Sequence, residues 1–184
     1  MAERPDELAL VERFRRGDDA AFDRIVAEHG AGIAALANRL LAWPHDVDDV
    51  VQEVFIAAFQ SLPKFRGQCR LRTWLFTITV NKCRTHRRRA GRNGILTSDE
   101  PPAEVNENAE TKAMAAETFA RVQRTVRALP PKYREVVVLR YLEGLETAEI
   151  CDMLKINANA VQVRLNRARK HLRDALADLM QDES

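Results

Sequence analysis

An all-α chain is the fold class this sequence predicts, arranged as two small helical bundles joined by a flexible acidic linker. Three observations point there. Apolar residues recur at helical spacing along most of the 184 residues, with few β-branched alternations. Glycines and prolines, seven of each, fall mainly between those patterns rather than inside them. One long stretch, GRNGILTSDEPPAEVNENAE, has small polar residues, two glycines, two prolines and almost no apolar periodicity, as linkers do. It divides the chain into residues 1–90, a linker at 91–110, and residues 111–184.

The elements follow in order. Residues 5–16 form a first helix with Leu8, Val11 and Phe14 on one side. Asp18 or Asp19 caps a second that runs to Leu41, and Gly30 and Gly32 predict a kink or break within it, at ~1 kcal/mol each against alanine. Pro44 ends that region, Asp46 caps a third helix to Leu62, and Pro63 stops it. After the loop KFRGQC a fourth helix covers residues 70–89. Beyond the linker, helices are predicted at residues 111–129, 131–142, 147–154 and 158–180.

Composition excludes several classes of function. No apolar run is long enough for a membrane span, and the N-terminal MAERPDELAL lacks the apolar core of a signal peptide, so the expected location is the cytoplasm. Cys69, Cys83 and Cys151 are odd in number and far apart, and the four histidines have no ligand spacing, so neither a disulfide framework nor a metal site is expected. There is no phosphate-cradling glycine loop and no nucleophile arrangement, so no cofactor and no enzymatic activity are expected.

Net charge is only +2, but its distribution is uneven. Residues 84–92 hold five arginines and no acid; residues 99–110 hold five acids and no base. The segment AVQVRLNRARKHLR, from Ala160 to Arg173, is basic again. Basic clusters separated by an acidic stretch suggest nucleic-acid contact at two places.

From that last segment onward Val161, Leu165, Ala168, Leu172 and Ala175 or Leu176 lie on one helical face, with Gln162, Val163, Asn166, Arg167 and Lys170 about half a turn away and Asn159 leading in. Upstream, TAEICDMLKINA reads as a short helix, with Ile150, Met153 and Leu154 inward, and a tight turn. Short helix, turn and longer basic helix make a helix-turn-helix whose second helix fits the major groove. Amides and guanidiniums near its N-terminal end can reach base edges, while Arg164, Arg169 and Arg173 suit phosphates.

The N-terminal half carries two further patterns. In HDVDDVVQEVF, Val47, Val50, Val51, Val54, Phe55, Ala58 and Phe59 form an apolar stripe, with Asp48, Asp49, Gln52 and Glu53 on the other side. First-turn acids serve the helix dipole, but Gln52 and Glu53 lie too far along for that and fit docking on a basic partner. In RLRTWLFTITVNKCRTHRRR, Arg70, Trp74, Thr77, Asn81, Arg84 and Arg88 share one stripe beside a core face of Leu71, Leu75 and Ile78. Such a column suits unpaired nucleic acid, where aromatics stack on bases; the competing reading keeps Trp74 in the core.

Taken in order, DDVVQEVF, FRG, RTWLFTITVN, LPPKYREVVVLRYLEGLETAEIC and VRLNRARKHLR resemble a bacterial RNA polymerase sigma factor of the extracytoplasmic-function group, over about residues 8–178. The resemblance implies a region 2-like first domain and a region 4-like second domain. By that likeness Asp48, Asp49, Gln52 and Glu53 bind the clamp of the largest subunit of core RNA polymerase. Lys64, Phe65, Arg66, Arg70, Trp74, Asn81, Arg84 and Arg88 read and melt the minus-ten element, with a non-template base flipped from the stack. Asn159, Gln162, Val163, Arg164, Asn166, Arg167 and Lys170 read the minus-thirty-five element, while another surface of that domain meets the polymerase flap. The likeness also implies an anti-sigma factor as a partner. Two departures stand out: Asn159-Ala160-Val161-Gln162-Val163-Arg164 at the start of the recognition helix, which leaves the promoter sequence open, and HGAGI, which predicts a bend. A stand-alone helix-turn-helix regulator is the alternative; it accounts for residues 130–180 but not for the N-terminal patterns.

Overall fold

The computed structural model describes residues 3–41, 46–92 and 110–177, and every regular element among them is helical. The helices are α1 (Glu3–Arg15), α2 (Ala20–Leu40), α3 (Val47–Ser61), α4 (Leu71–Arg92), α5 (Glu110–Ala128), α6 (Pro131–Val137), α7 (Thr147–Leu154) and α8 (Ala158–Ala175). Internal contacts divide the chain into two compact units, Met1–Arg88 and Arg89–Ser184. Most of the linker at 91–110, and Met180 at the end of the last predicted helix, lie outside the described residues.

In the N-terminal unit α1, α2 and α3 pack on one another, and α4 joins them by its apolar face. Leu10, Val11 and Phe14 of α1 are buried, as are Phe22 and Ile25 of α2, and Phe14, Phe22, Phe55 and Phe59 form a cluster of tilted and edge-on rings. Full burial of Leu71, Leu75 and Phe76 contributes ~1.5–3 kcal/mol for each side chain. The core face of α4 is broader than the sequence reading: Phe76, Thr79, Val80 and Cys83 are buried, whereas Ile78 is half-buried. Two positions depart in the same way. Leu8 faces the loop after α3 at 43% exposure, with Leu10 taking the core position. Phe59 is 46% exposed at the edge of its cluster.

α2 shows no break at the predicted point: the helix runs continuously through Gly30 and Gly32. Packing compensates for their weak propensity, because Phe55 and Phe76 lie over the two glycines with room to spare. The aspartate caps are also redirected. Asp19 and Asp46 hold the N-cap positions of α2 and α3 without a side-chain cap bond. Asp18 pairs with Arg13 at 2.7 Å and Asp46 Oδ2 lies 3.0 Å from His86 Nε2, so these carboxylates face side chains of other segments.

In the C-terminal unit α8 packs on α5, α6 and α7. The helix predicted for residues 131–142 is α-helical only to Val137 and then widens into a π turn, Val138–Leu142, closed by Glu143 N–H donating to the Val138 carbonyl at 3.0 Å. The wider turn leaves Tyr141 and Leu142 exposed. α8 stops at Ala175, short of the predicted 180, where Leu176 leaves helical geometry.

Candidate functional site

Three faces gather the residues singled out in the sequence. The first is the helix-turn-helix. α7 opens with a reciprocal capping box between Glu146 and Glu149, and closes at Lys155, which takes left-handed geometry at φ 56°. The turn therefore reverses at a lysine instead of a glycine. Ile150, Met153 and Leu154 face inward as the spacing predicts, and on α8 so do Val161, Leu165 and Ala168.

Asn157 caps α8, its Oδ1 accepting the Ala160 N–H at 2.8 Å. Beyond the cap Asn159, Gln162, Val163, Asn166, Arg167 and Lys170 are exposed on one side, and Arg164 is half-buried. Gln162 Nε2 donates to Asn166 Oδ1 at 3.0 Å. That bond links the two exposed amides across one helical turn. Val163, 41% exposed, adds an apolar side chain beside them.

Sequence reasoning missed what steadies the arginines. Arg169 donates through Nε and Nη2 to the Tyr141 hydroxyl, the former at 3.1 Å, so the residue rotated outward by the π turn receives it. Arg167 Nη1 reaches the Tyr133 hydroxyl at 3.5 Å. The guanidinium, helped by Lys132, holds the Tyr133 phenol below its ordinary range. A tyrosine 28 or 34 residues upstream leaves no periodic trace in the sequence of α8.

The second face is the loop before α4 and the exposed side of that helix. Lys64, Arg66 and Arg70 are exposed around the loop, and Asn81 and Arg88 further along, with Trp74 and Arg84 half-buried. From Arg70 to Arg88 this column spans roughly 27 Å at 1.5 Å per residue. Phe65 is set apart from it: only 6% exposed, its ring backs Trp74 at 5.2 Å between centroids. Trp74 is thus half-buried, with Phe65 packed against its indole. Arg87 turns inward and donates to the Leu40 carbonyl at 3.2 Å, closing the end of α2. Beneath Arg70 lies a cavity of about 410 Å³ whose lining includes Glu7, Arg24, Glu28, His29 and Arg72. Within it Arg24 pairs with Glu28 at 2.8 Å. Burial lowers the pKa of His29 there.

The third face is α3. Asp48, Asp49 and Gln52 are exposed, while Glu53 is half-buried and paired with Lys82 of α4 at 3.1 Å. Ile56, 51% exposed, and Phe59 continue the face at the 4-3 spacing from Gln52, giving an apolar end to a polar patch. The same 4-3 pattern was available in the sequence, but the apolar stripe had already claimed Phe59. No group of three or more metal-ligating side chains occurs among the described residues, and no helix there is long and apolar enough to cross a membrane.

These faces coincide with two families of known sequence. Residues 25–93 match the family model of Sigma-70 region 2, and residues 119–172 that of Sigma-70, region 4. The chain is 32% identical to the ECF RNA polymerase sigma-E factor of Haemophilus influenzae, covering 98% of this chain and 100% of that one. It is 31% identical to the RNA polymerase sigma-H factor of Pseudomonas aeruginosa, covering 99% and 100%. Among solved structures it is similar to CnrH in its complex with the cytosolic domain of CnrY, with a TM-score of 0.66, 30% identity and all of both chains covered. The fold is shared with RpoE of Bartonella quintana, solved with the anti-sigma factor NepR, at a TM-score of 0.71 and 19% identity over 85% of this chain and 96% of that one.

Proposed function

The chain belongs to the extracytoplasmic-function group of RNA polymerase sigma factors, and on that premise we propose how its faces divide the work of promoter selection. Residues 1–90 form the domain that docks on core polymerase and opens the minus-ten element; residues 111–184 form the domain that reads the minus-thirty-five element as duplex. Asp48, Asp49, Gln52 and Glu53 meet the clamp of the largest subunit, with Ile56 and Phe59 adding apolar area. Glu53 must exchange Lys82 for a cation on the polymerase, so Asp49 and Gln52 carry more of the contact.

On α4 and the loop before it, Lys64, Arg66, Arg70, Arg84 and Arg88 hold the backbone of the melted strand while Trp74 offers a stacking surface and Asn81 a hydrogen-bonding edge. Phe65 acts from behind, as the wall that fixes the indole. On α8 the linked amides of Gln162 and Asn166 read bases with Asn159, Val163 and Arg167, and Arg164 and Lys170 hold phosphates. Another surface of the same unit contacts the polymerase flap. The protein acts in the cytoplasm by binding alone, without catalysis or cofactor, and an anti-sigma factor, the kind of partner found with RpoE, controls it by covering these faces.

The observation that carries this reading is the coexistence in one chain of a capped, amide-bearing second helix of a helix-turn-helix and a separate aromatic and cationic column. Run-off transcription with core polymerase on a promoter library tests it. The chain should direct initiation from a two-element promoter. Gln162→Ala should shift the upstream element chosen, and Gln52→Ala should weaken assembly with core polymerase. Failure to associate with core, combined with dimeric footprints on palindromes, would favour the stand-alone regulator instead.

A further inference from the structure

The loop that carries Lys64, Arg66 and Arg70 is tied to α1 at three points. At the C-terminal end of α1, Arg15 Nε donates to the Pro63 carbonyl at 3.1 Å, and Arg15 Nη2 donates to the Phe65 carbonyl. Seven residues earlier on the same helical face, Leu8 lies over Gly67, which has φ +67°. A Cβ at Gly67 would come within 2.7 Å of Leu8 Cδ2, so the backbone there approaches the leucine as closely as glycine permits. Beside Leu8, Glu7 Oε2 accepts the Leu71 N–H at 2.9 Å and caps the first turn of α4 from 64 residues away.

We propose that α1 is a positioning brace for the minus-ten loop, with Arg15, Leu8 and Glu7 fixing the backbone from Pro63 to Leu71 in the shape that receives single-stranded DNA. The inference rests on the assignment of α4 and its loop to the minus-ten element. Its physical basis is pre-organisation. A loop this short and this cationic would otherwise sample many backbone states, and the cost of ordering it would fall on DNA binding. Phe65 links brace and surface: the carbonyl held by Arg15 belongs to the residue whose ring backs Trp74. Glu7 completes the arrangement by starting α4 at Leu71, directly after Arg70. None of the three bracing side chains needs to touch the nucleic acid.

The test uses the full chain and the promoter recovered from the run-off library, supplied as its non-template minus-ten strand and, separately, as upstream duplex. Arg15→Ala should weaken binding of the single strand about tenfold, as expected for losing hydrogen bonds from a charged donor, with Arg15→Lys recovering part of it. Glu7→Ala should show a similar loss, and Glu7→Gln, which keeps an acceptor oxygen, should recover it. Affinity for core polymerase and for the upstream duplex should stay within twofold, a separation that general destabilisation of the unit would not produce. Arg70→Ala and Trp74→Ala serve as controls. If they abolish single-strand binding while Arg15→Ala and Glu7→Ala leave it within twofold, the brace is refuted. If the controls have no effect either, the assignment of α4 to the minus-ten strand fails, and the brace with it.

Discussion

Asn157→Ala should separate two contributions of the recognition helix that the native protein joins. The Asn157 side chain satisfies the Ala160 N–H at 2.8 Å, one of the orphan donors at the start of α8. Losing such a cap costs ~1 kcal/mol, within a range of 0.5–2. If the C-terminal unit melts independently, that shifts its transition down by about 4–8 °C. The same change should fray the turn presenting Asn159, Gln162 and Val163, so affinity for the upstream duplex should fall as well. Asn157→Asp keeps the acceptor, and its charge favours the positive end of the helix, so stability should be retained or improved. That charge nevertheless sits where DNA phosphates approach, and duplex binding should still weaken. Thermal melts, amide exchange at Ala160 and fluorescence anisotropy with promoter duplex read all three effects. An unchanged melt for Asn157→Ala would show that the cap carries no stability. Equal duplex affinity for the wild type and Asn157→Asp would remove the N-terminal end of α8 from the DNA interface.

Other predictions concern the N-terminal unit. Gly32→Ala should stabilise it by ~1 kcal/mol, because the helix is unbroken there and an added Cβ meets Phe76 only at 3.9 Å; a denaturant titration showing destabilisation would contradict that. Gly67→Ala should do the reverse, since φ is positive and Leu8 blocks the space, and the same titration compares the two. His29 lies against Glu7 of α1, Glu28 of α2 and Arg72 of α4, and burial lowers its pKa in the fold. The unfolded chain, with the ordinary value near 6.5, therefore binds that proton more readily, so stability is full above about 6.5 and declines as pH falls below it. His29→Gln should flatten that acid-side decline in melts between about pH 8 and 5. Ile56→Ser should weaken assembly with core polymerase while leaving single-strand binding intact, as measured by surface plasmon resonance; equal loss of both would mean that the exposed face of α3 is not a separate docking surface.

Legibility followed the range of the interaction. The helix-turn-helix was readable because Ile150, Met153 and Leu154 on α7, and Val161, Leu165 and Ala168 on α8, repeat at the helical period. The acidic and basic segments were readable for the same reason, since charge order is a property of the chain itself. Local rules misled where a tertiary partner intervened. Gly30 and Gly32 predicted a kink or break, yet the helix continues through both, beside Phe55 and Phe76. Asp18 and Asp46 fitted caps but found Arg13 and His86 instead. Phe65 fitted an exposed cationic loop, yet it is buried behind Trp74.

By itself, the order of residues determined that this protein is helical, where its elements lie, and which helix faces carry amides, arginines and acids. Those depend on neighbours three or four positions apart, whose geometry a helix sets in advance. Only the tertiary structure decided which charged groups stay available and which are committed: Glu53 to Lys82, Arg87 to Leu40, Arg169 to Tyr141, and Arg15 to the backbone of a loop nearly fifty residues away. A guanidinium or carboxylate reaches several ångströms in many directions, so its partner is set by what packing brings within that reach, which periodicity does not encode.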